Sequence, residues 1–362
     1  MHSLIARTYP DGGNPRAESD IIRTESGFLL RPFNEDGDAS YKFHINVELV
    51  NPTAQAVEAD IEIEWFTPAP PQLRDHVQLH SEGDVLTWFP AAADGTRQCA
   101  KVTVPPGSHC LCMNPRYPLA RLDALLGGLD KSIFTVKPIG KTRMNRDFMA
   151  VEAGNPDAPV LAVIARVYPY ETASSFIMEG MLRWLGSAAG AAFLQEHRLV
   201  VIPLANPDGV CLGNHKVTYG GMNLGGNMTQ SIEPEAVAIR DYFTGVKPEL
   251  LVDFRGWMAR YDDNAIDGWM NRIGDAMKTS SIARGPAVYA AVIPHSEGIN
   301  MEYIETAVYG RQDNLGGMLL DRCGTEYFTV CWTYRGRSIA DLQAMGEVFL
   351  QAVAGGAGGN TK

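Results

Sequence analysis

The hydrophobic and polar positions follow two different patterns in the two parts of the chain. Up to about residue 125, short segments alternate apolar and polar residues, as half-buried β-strands do. The segments are Tyr41–Val50, Ala59–Phe66, Val85–Phe89 and Cys99–Val104, with turn residues such as Asp94-Gly95 between them. Short strands separated by turns predict an antiparallel β-sandwich domain over residues 1–125.

Beyond that point, apolar runs alternate with segments that have helical spacing. Val160–Val167 is an apolar run typical of a parallel strand buried on both faces, and Thr172–Trp184 follows it with helical spacing. Ser338–Val353 predicts a final helix that opens with a capping box from Ser338 to Asp341. The other predicted elements are strands at Leu199–Leu204, Glu249–Phe254, Ala287–Ile293 and Met301–Val308, and a helix at Glu233–Phe243 with Ser231 as its cap.

This alternation of strands and helices predicts an α/β domain over residues 126–355, with a flexible glycine-rich tail at 356–362. A length of 362 residues agrees with two domains. Functional side chains of such a domain are expected at the carboxyl ends of its strands.

The charge balance excludes two classes of partner. The chain has 31 basic and 42 acidic residues, which gives a net charge of −11. A nucleic-acid binder needs a basic face to displace counterions, and an anionic membrane attracts basic segments. We therefore expect neither nucleic acid nor a membrane as a partner. The sequence does not indicate an oligomeric state.

Cysteine usage and the lack of targeting signals indicate a cytoplasmic protein. No apolar run reaches the ~18 residues of a membrane span, and the first residues lack the apolar stretch of a signal peptide. Six scattered cysteines predict reduced thiols rather than disulfides. Neither a Walker loop nor a G-x-G-x-x-G motif is present, so we expect no nucleotide cofactor.

Three segments that carry polar side chains directly follow predicted strands. They are Ala165–Glu171 (ARVYPYE), Ala205–Lys216 (ANPDGVCLGNHK) and Asp253–Trp257 (DFRGW), and Tyr303–Gly310 (YIETAVYG) forms a late strand. In this order they resemble the motifs of the zinc carboxypeptidase family, and of its cytosolic carboxypeptidase branch in particular. The resemblance covers about residues 130–355 and implies a carboxypeptidase-like mixed sheet with helices on both faces, preceded by a β-sandwich.

The chain departs from that family at the positions that the resemblance assigns to zinc. The family holds the metal with a His and a Glu of the first motif and a His of the "DxHGH" motif. Here these positions are Tyr168, Glu171 and Arg255. A guanidinium has no lone pair and is always protonated, so it cannot bind a metal ion. We predict no metal, and we expect Arg255 to take its place by pairing with Glu171 through two hydrogen bonds.

Other motif positions differ as well. Lys216 stands where the family has its oxyanion-stabilising Arg. The family's "DLNR" segment becomes Asn223-Leu224-Gly225-Gly226, so the Asn-Arg clamp for a terminal carboxylate is missing. The two glycines leave open the space that the two side chains of the clamp would fill. The family's general base, a Glu in a late strand, is retained as Glu305 by this resemblance.

These residues suggest an enzyme that works without a metal. We assign Tyr168, Glu305 and Lys216 to catalysis and Arg255, Glu171, Asn214 and His215 to substrate binding, with no metal ligand and no cofactor. The expected reaction is acid–base elimination or hydrolysis of a small carboxylated or peptide-like substrate. The alternative is an inactive pseudo-peptidase that serves as a binding module. A third possibility is a zinc carboxypeptidase whose rearranged site recruits a residue such as His215.

Overall fold

A computed structural model describes residues 3–35, 44–66, 74–257, 268–273, 279–295, 301–305, 314–334 and 336–357. Of these, residues 257, 268–273, 279–285, 295, 301–305 and 354–357 are described by their backbone alone. No helix within these ranges is both long and apolar enough to cross a membrane.

The first third of the chain folds into the predicted β-sandwich. Its strands are β1 (Ile5–Thr8), β2 (Ile21–Arg23), β3 (Gly27–Leu30), β4 (Asn46–Asn51), β5 (Val57–Glu64), β6 (His76–Ser81), β7 (Val85–Asp94), β8 (Arg97–Val104) and β9 (Gly107–Cys112). They are hydrogen-bonded in the order β1-β4-β9-β6-β7-β8-β5-β3-β2. Neighbouring strands are antiparallel, as predicted, except for β3 and β5, which are parallel. The first half of β7 pairs with β6 and its second half with β8, so this one strand joins the two sheets. Exposed and buried residues alternate strictly along β8, which places its apolar side chains in the core between the sheets.

The rest of the described chain forms an α/β unit. Its elements are α1 (Leu119–Gly127), β10 (Phe134–Lys141), β11 (Asp147–Gly154), β12 (Val160–Ala165), α2 (Thr172–Leu185), α3 (Ala188–Glu196), β13 (Arg198–Ile202), α4 (Pro207–Cys211), α5 (Leu224–Asn227), α6 (Pro234–Val246), β14 (Leu250–Trp257), β15 (Gly268–Ile273), α7 (Thr279–Val292), β16 (Met301–Glu305), α8 (Leu315–Cys323), β17 (Glu326–Thr333) and α9 (Ile339–Ala357). The strand order is β10-β11-β13-β12-β14-β17-β15-β16. The central strands β13, β12, β14 and β17 are parallel, whereas β11 and β15 pair antiparallel with their neighbours in this group. The sheet is therefore mixed, as predicted.

Helices cover both faces of this sheet. Side chains of α1, α2 and α9 form one apolar cluster with alternate residues of β12, such as Leu161 and Val163. The intervening residues Ala162 and Ile164 join a second cluster with α6 and α8 on the other face. This two-sided burial explains why β12 is an uninterrupted apolar run.

The structure corrects two sequence predictions in the second half of the chain. Ala287–Ile293 is not a strand, because residues 287–292 belong to α7. Its buried side chains, Val288 and Val292, are four residues apart, and the alanines between strand-forming residues fit a helix equally well. The flexible tail was expected from residue 356, but α9 continues to Ala357, and residues 358–362 lie outside the described part of the chain.

The division into two domains stays a prediction. Its boundary at 125/126 falls inside α1, whose Leu122 and Leu126 pack in the core of the α/β unit. Side chains also connect the two parts. Trp88 of β7 stacks on Tyr334, with ring centroids 5.7 Å apart. The guanidinium of Arg121 in α1 donates hydrogen bonds to Asp84, which directly precedes β7, and to Glu179 of α2.

Helices α2 and α9 cross at two glycines. A Cβ atom on Gly180 of α2 would lie 1.9 Å from the carbonyl oxygen of Gln343 in α9. A Cβ atom on Gly346 of α9 would lie 2.3 Å from the carbonyl oxygen of Ile177. Both contacts are with backbone, which cannot rotate away, so the helices can approach this closely only without side chains at these positions.

Gly180→Ala should therefore lower the free energy of unfolding by about 1–3 kcal/mol, because the helices must move apart. Urea denaturation followed by circular dichroism measures the change. Gly245→Ala in α6 is the matched control, because its added Cβ meets nothing within 4 Å. The control should be neutral or slightly stabilising, as expected for alanine in a helix. Equal effects of the two substitutions would contradict the close helix contact.

Candidate functional site

The turn that follows β12 is shaped by a buried arginine. Arg166 adopts a positive φ of 59°, and its side chain turns back on the segment that follows it. Nε of Arg166 donates to the carbonyl oxygen of Pro169 at 2.6 Å, and Nη1 donates to Oγ of Ser175 at 3.1 Å. Burial lowers the pKa of Arg166 to about 9. These bonds close the turn and present Tyr168 and Glu171 just before α2 begins.

Glu171 meets Arg255 where two neighbouring parallel strands end. β12 pairs with β14, and Arg255 lies one residue beyond the last pair, Ala165 with Phe254. Nε of Arg255 is 2.8 Å from Oε1 of Glu171. Oε2 of Glu171 accepts the backbone N–H of Tyr168 at 2.9 Å. The expected ion pair is formed, but through one hydrogen bond instead of two, and the Tyr168 amide bonds to the second oxygen.

A second carboxylate, that of Asp253, shares the guanidinium. Asp253 and Arg255 are two residues apart in β14 and so lie on one face of the strand. Nη1 of Arg255 is 3.4 Å from Oδ2 of Asp253, and the Tyr327 hydroxyl donates to the same oxygen at 2.7 Å. Oδ1 of Asp253 is buried without a hydrogen-bond partner among the described residues. When both carboxyls are ionised, the cluster of Arg255, Glu171 and Asp253 carries a net charge of −1.

The pKa values of all three groups are shifted by burial and by the neighbouring charges. Burial raises the pKa of Glu171 to about 7, although Arg255 and the Tyr168 amide favour its charged form. Burial also raises the pKa of Asp253 above its usual range. For Arg255, burial opposes the charge, but the two carboxylates outweigh it and keep the guanidinium pKa well above its ordinary value. Arg255 is therefore a permanent cation, and Glu171 is the carboxyl group that titrates near neutral pH.

Tyr168 fills the space beside this ion pair. Cζ of Arg255 lies 4.1 Å from the centre of the Tyr168 ring, within the range of a cation–π contact. Nζ of Lys216 lies 5.6 Å from the same ring centre. A Cβ atom on Gly225 would lie 2.5 Å from the Tyr168 hydroxyl. The tyrosine therefore occupies the room that the sequence analysis expected the glycines at 225 and 226 to leave open.

A small cavity lies beside the cluster. Its volume is about 170 Å³, and Asp253, Arg255, Tyr327 and Thr329 give it a polar wall. Pockets for drug-sized ligands span about 300–1,000 Å³, so this cavity fits a small polar group or a few water molecules.

The structure places Asn214 and His215 away from this cavity wall and in contact with the N-terminal part of the chain. Nδ1 of His215 accepts the backbone N–H of His44 at 2.9 Å, and Nε2 is 3.1 Å from the carbonyl oxygen of Phe33. Asn214 accepts a hydrogen bond from Arg16 and donates to the carbonyl oxygen of Val217 at 2.8 Å. Both ring nitrogens of His215 are engaged, so its imidazole offers no lone pair to a metal ion. The predicted substrate contacts of both residues stay predictions.

The structure places the backbone of Glu305 away from the cluster, and its catalytic role stays a prediction. Glu305 ends β16 at the edge of the sheet, three strands from β14, and its side chain lies outside the described part of the structure. Adjacent strands are about 4.8 Å apart, which puts its backbone about 14 Å from β14. Cys331 of β17 is instead the residue paired with Arg255, and it is buried. The sequence analysis predicted neither a site role for Cys331 nor its strand. Glu326–Thr333 (EYFTVCWT) is nevertheless rich in aromatic and β-branched residues, which is the signal that could have identified the strand.

The residues of the cluster do not fit a zinc ion. Zinc needs three or four nitrogen, sulfur or oxygen donors around it. Arg255 brings a positive charge to the carboxylate that would have to bind the metal. Among the described residues, no group of three His, Cys, Asp or Glu side chains is arranged to hold a metal ion.

The contact between Tyr168 and Gly225 predicts that substitutions at the two positions have non-additive effects on the free energy of unfolding. Gly225→Ala should destabilise the chain by about 1–3 kcal/mol, because the new methyl group overlaps the Tyr168 ring. In a Tyr168→Ala background the same change should cost less, since the ring is gone. A double-mutant cycle by urea denaturation measures the coupling, expected at about 1 kcal/mol or more. Strict additivity would show that the two residues do not touch.

Comparison with known proteins agrees with this fold. The sequence model of the family described as zinc carboxypeptidase matches residues 124–256. Cytosolic carboxypeptidase 1 of Danio rerio is 34% identical over 108 residues, which are 27% of this chain and 9% of that protein. Cytosolic carboxypeptidase 3 of Bos taurus is 41% identical over 71 residues, 19% of this chain and 7% of that protein. The chain thus covers less than a tenth of the length of either relative.

Solved structures extend the likeness of the fold to nearly the whole chain. A metallo-carboxypeptidase from Burkholderia cenocepacia superposes with a TM-score of 0.80 at 18% identity, covering 98% of this chain and 99% of that one. A metallo-carboxypeptidase from Pseudomonas aeruginosa, in complex with (2-guanidinoethylmercapto)succinic acid, gives 0.79 at 15% identity, with 97% and 98% covered. These results show that the chain has a carboxypeptidase-like α/β fold, and that residues 124–256 are similar to the zinc carboxypeptidase family and in part to cytosolic carboxypeptidases.

Proposed function

We propose that this chain is a carboxypeptidase-like enzyme that works without zinc and acts by acid–base chemistry on a small carboxylated or peptide-like substrate. The observation that carries the proposal is the buried ion pair, with Nε of Arg255 2.8 Å from Oε1 of Glu171. The resemblance of the motifs to those of the family places both residues at zinc-ligand positions. A fixed guanidinium there supplies a positive charge without a metal ion.

The charge of Arg255 replaces only part of what zinc supplies. A zinc ion polarises a carbonyl group and also lowers the pKa of its bound water to about 7. A guanidinium can stabilise negative charge through hydrogen bonds, but it binds no water as a Lewis acid. The proposed reaction is therefore elimination next to a carboxylate or hydrolysis of an activated bond, rather than cleavage of an ordinary peptide bond.

Glu171 is the proposed acid–base group of this site. Its pKa of about 7, raised by burial, lets it both accept and release a proton near neutral pH. Tyr168, which contacts Arg255, supplies a hydroxyl group, and Lys216 supplies an amine near the Tyr168 ring. The cavity of about 170 Å³ favours a small reacting group over a bulky side chain.

A binding module without turnover is the second candidate. Arg255 is already paired with Glu171 and Asp253, so a substrate carboxylate would have to compete with both of them. This pairing of the guanidinium favours a role in structure or ligand binding. The cytoplasm stays the proposed compartment for either function, because all six cysteines are free thiols.

Grafting the family's ligands should restore a metal site. The wild-type chain, purified without an affinity tag, should contain close to no zinc by elemental mass spectrometry. The double variant Tyr168→His/Arg255→His, with Glu171 retained, should bind about one zinc ion per chain, because two imidazoles and a carboxylate form a three-ligand site.

The single variant Tyr168→His is the control, because Arg255 still repels the metal. It should bind zinc far more weakly than the double variant in a calorimetric titration. Stoichiometric zinc in the wild-type chain would overturn the proposal. Failure of a correctly folded double variant to bind zinc would show that positions 168 and 255 are not the ligand positions.

Turnover should follow the protonation of Glu171. On a panel of small carboxylated and peptide-like compounds, activity should rise with pH through about 7, as Glu171 loses its proton and becomes a base. Glu171→Gln should abolish the activity by removing this base.

Glu235→Gln is the matched control for that experiment. Glu235 lies in α6, and burial raises its pKa to about 7 as well, so the variant reports any general effect of a buried carboxyl group. It should keep the wild-type pH profile of turnover. A ligand that raises the melting temperature without any turnover, for example (2-guanidinoethylmercapto)succinic acid, would favour the binding module instead.

A further inference from the structure

A carboxylate from the N-terminal part of the chain sits inside the loop that carries Lys216. Glu35 is 3% exposed and lies close to three consecutive backbone N–H groups. Oε2 accepts the N–H of His215 at 2.5 Å, and Oε1 accepts those of Lys216 at 2.5 Å and Val217 at 3.1 Å. Successive N–H groups that converge in this way form an anion-binding concavity.

This arrangement satisfies the carboxylate and the loop together. A buried carboxylate is costly unless it is hydrogen-bonded, and charge-assisted hydrogen bonds are the strong kind. The same holds for the three N–H groups, because burying them without an acceptor would cost free energy. The conformation of residues 215–217 therefore depends on Glu35.

Neighbouring residues of the N-terminal segment hold the preceding part of the same loop. The N–H of Gly12 donates to the carbonyl oxygen of Cys211 at 2.8 Å, and Nε of Arg16 donates to that of Leu212 at 2.7 Å. Nδ2 of Asn14 donates to the carbonyl oxygen of Gly213 at 3.1 Å. The N-terminal part of the chain thus contacts successive residues of the 211–217 loop.

We propose that Glu35 is a positioning residue of the site, which fixes the backbone of Lys216 and thereby aims its ammonium group at Tyr168. Lys216 is 5% exposed, and its Nζ lies 5.6 Å from the Tyr168 ring centre. The segments that connect the N-terminal strands therefore complete the site instead of only adjoining it. The inference rests on the proposed function to the extent that Lys216 serves the reaction.

Removal of the side chain should open the concavity to a small anion. Glu35→Ala should lower the melting temperature by about 2–4 °C or more. It should also let an amine-reactive reagent label Lys216 on the order of tenfold faster, the change that about 1.4 kcal/mol allows. Peptide mass spectrometry measures labelling well below the melting temperature, with Lys141, whose side chain is 56% exposed, as the internal reference.

Formate should reverse both effects in Glu35→Ala in a saturable manner, because it can place a carboxylate among the same N–H groups. Chloride at equal ionic strength should not. The matched control is Glu64→Ala, which removes a carboxylate of the same sheets that pairs with Arg31 at the surface. In Glu64→Ala, Lys216 should be labelled at the wild-type rate, and formate should change neither the labelling nor the melting temperature.

Two outcomes would overturn the proposal. If Glu35→Ala lowers the melting temperature while the labelling of Lys216 stays unchanged, Glu35 has only a structural role. If formate acts no better than chloride, the N–H groups do not form an anion site. Should Glu35→Ala fail to fold, the isosteric Glu35→Gln must still speed the labelling of Lys216, because an amide cannot accept at both atoms.

These measurements are independent of turnover. If the chain proves to be inactive, the substrate experiments fail while the labelling and formate experiments still succeed. If Glu35 does not position Lys216, the labelling result fails while turnover and its dependence on Glu171 are unaffected.

Discussion

The site depends on the burial of one guanidinium in the centre of the sheet. Arg255 cannot shed its proton, so it is tolerated there only with compensating charges, and the two carboxylates at 2.8 and 3.4 Å supply them. Such an ion pair adds little net stability, but the loss of one partner leaves an expensive buried charge. It also constrains its surroundings. Gly256 must lack a side chain, because a Cβ there would lie 2.8 Å from Cα of Glu171, and Gly225 leaves room for Tyr168.

The fold was predictable where local pattern and tertiary burial agree. The apolar run of β12 is buried on both faces, and the last helix opens with the reciprocal hydrogen bonds between Ser338 and Asp341. The pattern failed where alanine and valine fit either structure, as at residues 287–292. It also failed to identify β17, because no alternation separates a strand buried on both faces from an apolar helix segment.

The site was predictable only for residues that follow strands adjacent in the sheet. Tyr168 and Arg255 meet because β12 and β14 are neighbours, and their separate motifs already stand after predicted strands. Glu305 was assigned to the site from the family resemblance alone, and the structure places β17, not the β16 of Glu305, beside β14. Glu35 left no local signal, since its hydrogen-bond partner His215 is 180 residues away in the chain.

That separation has a consequence for how the molecule is made. During synthesis the N-terminal residues leave the ribosome first, and they cannot find their loop until about half of the chain has followed. Loop-closure entropy rises slowly with the length of the loop, so this contact costs about 0.6 kcal/mol more than one that spans half as many residues, and it is expected to form later. The ion pair between Arg255 and Glu171 spans 84 residues and can therefore form before the contacts of Glu35. The Lys216 loop becomes ordered only when Glu35 reaches the backbone of residues 215–217, so the complete site forms late in folding.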